Sequence, residues 1–213
     1  MREEMDAALD ALATEADDLA ALLEAAPEAA WRQPTRLPGW DVTVLVAHLA
    51  RGIGRIAAYA ATPLDEPAQH DRLSYFHYDA AGMAADVTAR AREAAQGATP
   101  TSLVAALRGA VPAARAAIAG LAPTTVIPSA IAPITLRDYL PTRELEACVH
   151  GLDLRDALAA PLTPTPGVLA STVATLEGLL SAPRPAALAD DVAFVEAATG
   201  RRLFADPRFP LMA

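Results

Sequence analysis

The sequence predicts an all-α fold, a helical bundle. Hydrophobic residues fill 53% of its 213 positions and aromatics only 5%. Much of the apolar share is Ala, the strongest helix former. Apolar positions recur at helical spacing over long stretches, and β-branched runs are few. Helices packed closely through small side chains follow, and the length allows one sizeable core.

Residues from about 3 to 26 read as the first helix, with Met5, Leu9, Leu12, Leu19, Leu22 and Leu23 on its apolar side. Pro27 and the Gln33-Pro34-Thr35 stretch end it, and Leu37-Pro38-Gly39-Trp40 reads as a turn. Asp41 is a natural N-cap for a second helix to about residue 61, whose apolar stripe is Val42, Leu45, Leu49, Ile53 and Ile56. His48 sits within that stripe. The connection from Pro63 to Tyr78 is long enough to suggest a functional loop, with Tyr75, Phe76, His77 and Tyr78 placed to line a pocket mouth or simply to pack. Asp79 caps a third helix to about Gln96, and Thr101 or Ser102 starts a fourth to about Leu121, with Pro112 expected to kink or split it. After a Pro- and Thr-rich crossing, Thr135 caps a helix to about Ala159. Pro141 in its first turns suggests a start nearer Thr142. Val168 to Leu180 and Ala189 to Ala198 read as two further helices, with Gly200 as the C′ residue of the last. Residues 1–160 are thus expected to form the bundle, and 161–213 an accessory helical segment packed on it.

The net charge of −9 argues against nucleic-acid binding, which needs a clustered basic surface. A single cysteine, Cys148, excludes an intrachain disulfide and suggests a reducing compartment. The acidic start, Met1-Arg2-Glu3-Glu4, is unlike a signal peptide, and no long apolar stretch free of charge or proline suggests a membrane span. A cytoplasmic protein is expected. Ala-rich bundles expose flat apolar faces that favour pairing, so a homodimer is the expected oligomer.

Glu146 and His150 are four apart on a predicted helix, so they share one face, about 6 Å apart along the axis. One metal ion can reach both. The spacing alone is weak, because Glu66 and His70 match it too, with Pro67 between them. An ordinary i,i+4 charge pair explains Glu146 and His150, and a satisfied core histidine explains His48. Position favours more: His48 lies on an apolar stripe, Glu146 and His150 at the edge of another, and buried groups of this kind need partners or a metal. Cys148 projects about 200° away from His150 and reads as a small buried apolar residue. Asp153, three after His150, is placed to accept from the imidazole and fix its tautomer, or else reads as a solvated surface acid. Arg143, three before Glu146, is placed as a carboxylate or substrate clamp, or else reads as a surface ion pair. Trp31 and Trp40 bracket the turn and read as core plugs.

Leu37-Pro38-Gly39-Trp40-Asp41-Val42, followed by Val46-Ala47-His48-Leu49, resembles the opening signature of the mycothiol-dependent maleylpyruvate isomerase family, within the DinB-like superfamily. Arg143, Glu146 and His150-Gly151-Leu152-Asp153-Leu154 resemble its second signature. The resemblance implies a DinB-like four-helix bundle with a divalent metal, most often Zn²⁺, on His48, Glu146 and His150. It also implies a low-molecular-weight thiol as cosubstrate, which is mycothiol in actinobacteria. Arg143 and Asp153 are then candidate cofactor-binding residues. Thiol transfer to, or thiol-assisted cis–trans isomerisation of, a small electrophile is the implied activity. Three protein ligands leave zinc an open position, as catalytic sites require. The characterised isomerase type continues into a further C-terminal domain that helps form the substrate site. Residues 161–213 are too few for an independent core. Two rivals stay open: a non-catalytic metal- or ligand-binding bundle, and a non-haem Fe(II) enzyme, since two His and one carboxylate also suit iron.

Overall fold

The computed structural model describes residues 2–212, apart from the side chains of residues 80 and 81. Its helices are α1 (Arg2–Ala25), α2 (Val42–Ala60), α3 (Ala80–Ala95), α4 (Pro100–Ile118), α5 (Leu136–Ala157), α6 (Pro166–Leu180) and α7 (Asp191–Ala198). Two strands of two residues, β1 (Val126–Ile127) and β2 (Ile134–Thr135), pair antiparallel with Val126 opposite Thr135. Among the described residues no helix is long and apolar enough to cross a membrane.

The bundle is a ring in which α1 packs on α4, α4 on α2, α2 on α5 and α5 on α1. Leu12, Leu19, Leu45, Ile56, Leu107 and Leu154 are buried inside it. The helix α3 rests on α2, and α6 lies against α5 and α1, with α7 packed on α6. A second apolar core forms there, where Leu145, Cys148, Val149 and Leu152 of α5 meet Val168, Leu176, Phe194 and Val195. The helix α5 therefore carries two buried faces, which explains why its apolar residues show no single stripe. The long connection before α3 is pinned to the small sheet: Leu64 N–H donates to Val126 O at 2.9 Å and Gln69 N–H to Pro133 O at 2.8 Å.

Capping chemistry sets most boundaries. The carboxylates of Asp41, Asp79 and Asp190 accept from the N–H groups of Val44, Gly82 and Ala193 at 2.9, 2.9 and 2.8 Å. Three expectations need correction. The helix α4 starts at Pro100, not at Thr101 or Ser102, because Thr99 caps it in a reciprocal box with Ser102, with proline tolerated at the first helical position. Pro112 does not split α4; its neighbours Val111 and Ala114 are buried in the bundle, and their packing outweighs one lost backbone bond. Pro141 does not delay α5. That helix starts at Leu136, held by the Thr135 cap and by Leu136 N–H donating to Thr125 O at 2.9 Å, with Tyr139 and Leu140 buried ahead of the proline.

Candidate metal centre

The turn before α2 aims the first candidate. Gly39 adopts φ +77°, which a side chain would resist, and Trp40 N–H closes the turn on Leu37 O at 3.1 Å. Trp40 is thereby set against His48, ring centroids 5.1 Å apart and edge to face. Across the α2–α5 seam His48 meets His150, again edge to face with centroids 5.1 Å apart. Glu146 lies one turn before His150. Its Oε2 would come within 3.1 Å of a Cβ added at Gly52, so the bare glycine gives the carboxylate its place between α2 and α5. The structure thus brings His48 against His150, with Glu146 one turn away on α5.

Their electrostatics differ. Burial, and then the neighbouring His150, push the His48 pKa down to about 4, so its ring is neutral at physiological pH. Its Nδ1 is fully buried and has no hydrogen-bond partner among the described residues. For Glu146, burial acts to raise the carboxyl pKa, but Arg143, His48 and His150 outweigh it and hold it below its ordinary value. Burial acts the same way on Asp153, and its bonds to His150 and Arg201 overturn it, bringing the carboxyl to about 2. Asp153 is ionised and can only accept, so the 3.1 Å contact is a bond donated by His150 Nδ1–H.

The remaining sequence candidates fall into place around this centre. Arg143 is buried and engaged within the protein: it donates to Glu146 Oε2 at 2.8 Å and Thr142 Oγ1 at 3.1 Å, and stacks over Tyr139. Cys148 is buried on the other side of α5, where burial pushes its thiol up to about 12. Glu66 is exposed in the long loop and His70 bridges to Ile134, so that pair does not share a helix face.

As they stand, no three His, Cys, Asp or Glu side chains among the described residues are gathered closely enough to hold a metal ion. In kind the donors suit a divalent metal: a neutral imidazole with an orphaned nitrogen, a second imidazole with its tautomer fixed by a carboxylate, and an ionised carboxylate.

Beside the three residues opens a cavity of about 470 Å³. Glu146 and His150 form part of its lining, Phe76 and Tyr78 of the long loop form one side, and Thr199, Arg201 and Met212 of the C-terminal tail another. The tail returns to the site because Gly200, at φ +75°, reverses the chain and Leu211 N–H donates to Ala198 O at 2.8 Å. Arg201 Nη2 donates to Asp153 Oδ2 at 2.9 Å, completing a chain Arg201–Asp153–His150. Sequence reasoning missed Arg201; Gly200 marked the turn, but no local pattern says where a chain goes after it.

The all-α bundle is consistent with the DinB-like class of fold. The chain belongs to the family described as the mycothiol maleylpyruvate isomerase N-terminal domain, whose sequence profile matches residues 12–155. Two crystal structures of the mycothiol-dependent maleylpyruvate isomerase, one of them a histidine-to-alanine mutant, share the fold with a TM-score of 0.57 each. Each is 16% identical, over 83% of this chain and 69% of theirs. No curated protein matches the sequence. The family match stops at Arg155, so α6, α7 and the tail lie beyond it.

The glycine at the seam yields a first test. Gly52→Ala should cost little stability, because alanine is the better helix former by about 1 kcal/mol. The added methyl crowds Glu146, so metal affinity should fall several-fold while the melting temperature stays within a few degrees. Unchanged affinity by competitive chelator titration would show that Glu146 does not need this place.

Proposed function

We propose that the chain holds one divalent metal with His48, Glu146 and His150, zinc by donor preference, and uses it with mycothiol in a transferase or isomerase reaction on a small electrophile. The single observation that carries this reading is the orphaned, buried Nδ1 of His48 beside His150. A buried polar atom without a partner is costly, and a cation shared with His150 and Glu146 removes the cost. Membership of the mycothiol maleylpyruvate isomerase family supports the choice of thiol and reaction.

When bound, the metal supplies the charge that ionises a thiol at neutral pH. The protein's residues do the rest. The depressed pKa keeps His48 unprotonated, as a ligand must be. Asp153, held by Arg201, fixes the tautomer and ring orientation of His150. Arg143 orients Glu146. Trp40 shields one edge of His48 from water. The 470 Å³ cavity reaching Glu146 and His150 has room for a thiol and a small electrophile together. In this reading residues 161–213 are an accessory segment whose tail supplies a substrate wall.

Calorimetric titration of mycothiol in buffers of different ionisation enthalpy tests the reading. Zinc-loaded protein should release close to one proton per thiol bound, and chelator-treated protein should bind none. Equal binding with and without metal, or binding with no proton release, would overturn it and favour a ligand-binding bundle.

A further inference from the structure

On the other side of Glu146 from the large cavity lies a second, narrow cleft of about 80 Å³, between α2, α3 and the Tyr75–Tyr78 loop. Four arginines line it: Arg51, Arg55, Arg90 and Arg143. That is a notable share of the chain's 17 basic residues, in a protein whose net charge is −9. Only Arg143 has a close internal carboxylate, Glu146 at 2.8 Å. Arg90 has Asp86, 3.9 Å away and four-fifths exposed, a pair worth little in water. Arg55 donates to the hydroxyl of Tyr59, which is neutral. Arg51 makes no ion pair or hydrogen bond among the described residues.

Crowding of like charges without counter-charge raises the energy of the free protein. It shows in Arg51, whose pKa is lowered by burial and then by Arg55 and Arg90, against a weaker pull from Glu93 and Glu146. An anion entering the cleft relieves that repulsion. The planar forks of guanidinium groups match the paired oxygens of carboxylates and phosphates. The volume suits one such group with a little water, not a whole substrate.

We infer that Arg51, Arg55 and Arg90 form a subsite for an oxyanion group, a carboxylate or a phosphate, on a ligand whose remainder extends past Glu146 towards the proposed metal centre. The extension towards the centre rests on the proposed function; binding of the oxyanion itself requires no metal.

The probes are succinate and inorganic phosphate, titrated calorimetrically at low ionic strength into chelator-treated, dialysed protein and into zinc-loaded protein. At least one anion should bind the chelator-treated protein, and which one binds assigns the oxyanion. Arg51→Gln and Arg90→Gln should each weaken it tenfold or more, while Arg32→Gln, on a largely exposed side chain paired with Asp41 outside the cleft, should leave it unchanged. Circular dichroism checks folding, and Arg90, at the surface of α3, carries the test if Arg51→Gln does not fold. Binding of neither anion, or affinity within twofold of wild type in both variants, overturns the subsite. So does binding only to zinc-loaded protein that vanishes in His48→Ala, which would place the anion on the metal. Anion binding by a protein that takes up no zinc would uphold the subsite and overturn the metal reading.

Discussion

Arg155→Ala should destabilise the protein by about 3–5 kcal/mol, the range for breaking a buried ion pair by removing one partner. Glu15 of α1 is fully buried, and Arg155 of α5 donates to its Oε1 at 2.7 Å. The other Glu15 oxygen accepts from Thr165 N–H at 2.8 Å, just before α6. One carboxylate therefore ties three helices, and Gly151 leaves room for it, since a Cβ there would stand 2.7 Å from Glu15 Oε1 and 2.8 Å from the guanidinium. Without Arg155 the charge of Glu15 stays buried with only an amide donor. The second arm, to the half-exposed Asp18, contributes little. Denaturant unfolding measures the loss; a midpoint like that of wild type would show that water or rearrangement satisfies Glu15.

Asp153→Ala should lower metal affinity by about 10- to 100-fold, the usual cost of removing a carboxylate behind a histidine ligand. The substitution frees the His150 ring to change tautomer and leaves Arg201 without its carboxylate. Asp153→Asn, which keeps an acceptor but not the charge, should fall between. A metal dissociation constant unchanged in Asp153→Ala would remove the Arg201–Asp153–His150 chain from the account. The same carboxyl contributes a pH dependence to stability. Its folded pKa, about 2, lies below its ordinary 3.8, so the contribution is complete above about pH 4 and disappears as pH falls towards 2. Unfolding curves of wild type and Asp153→Asn should converge over that interval.

The helix starts at Asp41 and Asp79 were legible in the sequence because capping is local chemistry within four residues, and Thr135 was legible as a cap though the start it sets was expected later, nearer Thr142. The meeting of His48 with His150 was legible because helical period assigns faces and short-range pattern places both helices in one bundle. The starts of α4 and α5 were misplaced for different reasons. At α4 the Thr99–Ser102 box sets the start one residue ahead of Thr101, and at α5 the Thr135 cap with burial of Tyr139 and Leu140 outweighs Pro141. Arg201 and the arginine cleft were not legible, because both depend on returns of the chain: the tail folding back after Gly200, and α3 laid over α2. The engagement of Arg143 with Glu146 was half visible, as the i,i+3 spacing of an ion pair.

Elemental analysis reads directly whether His48, Glu146 and His150 hold one divalent metal. Anaerobically purified protein, and protein reconstituted with zinc and freed of excess, should each carry about one equivalent per chain, with zinc rather than iron retained. His48→Ala should lose most of it while keeping wild-type helicity. Full occupancy in His48→Ala, or no bound metal in the folded wild-type protein, would contradict the assignment.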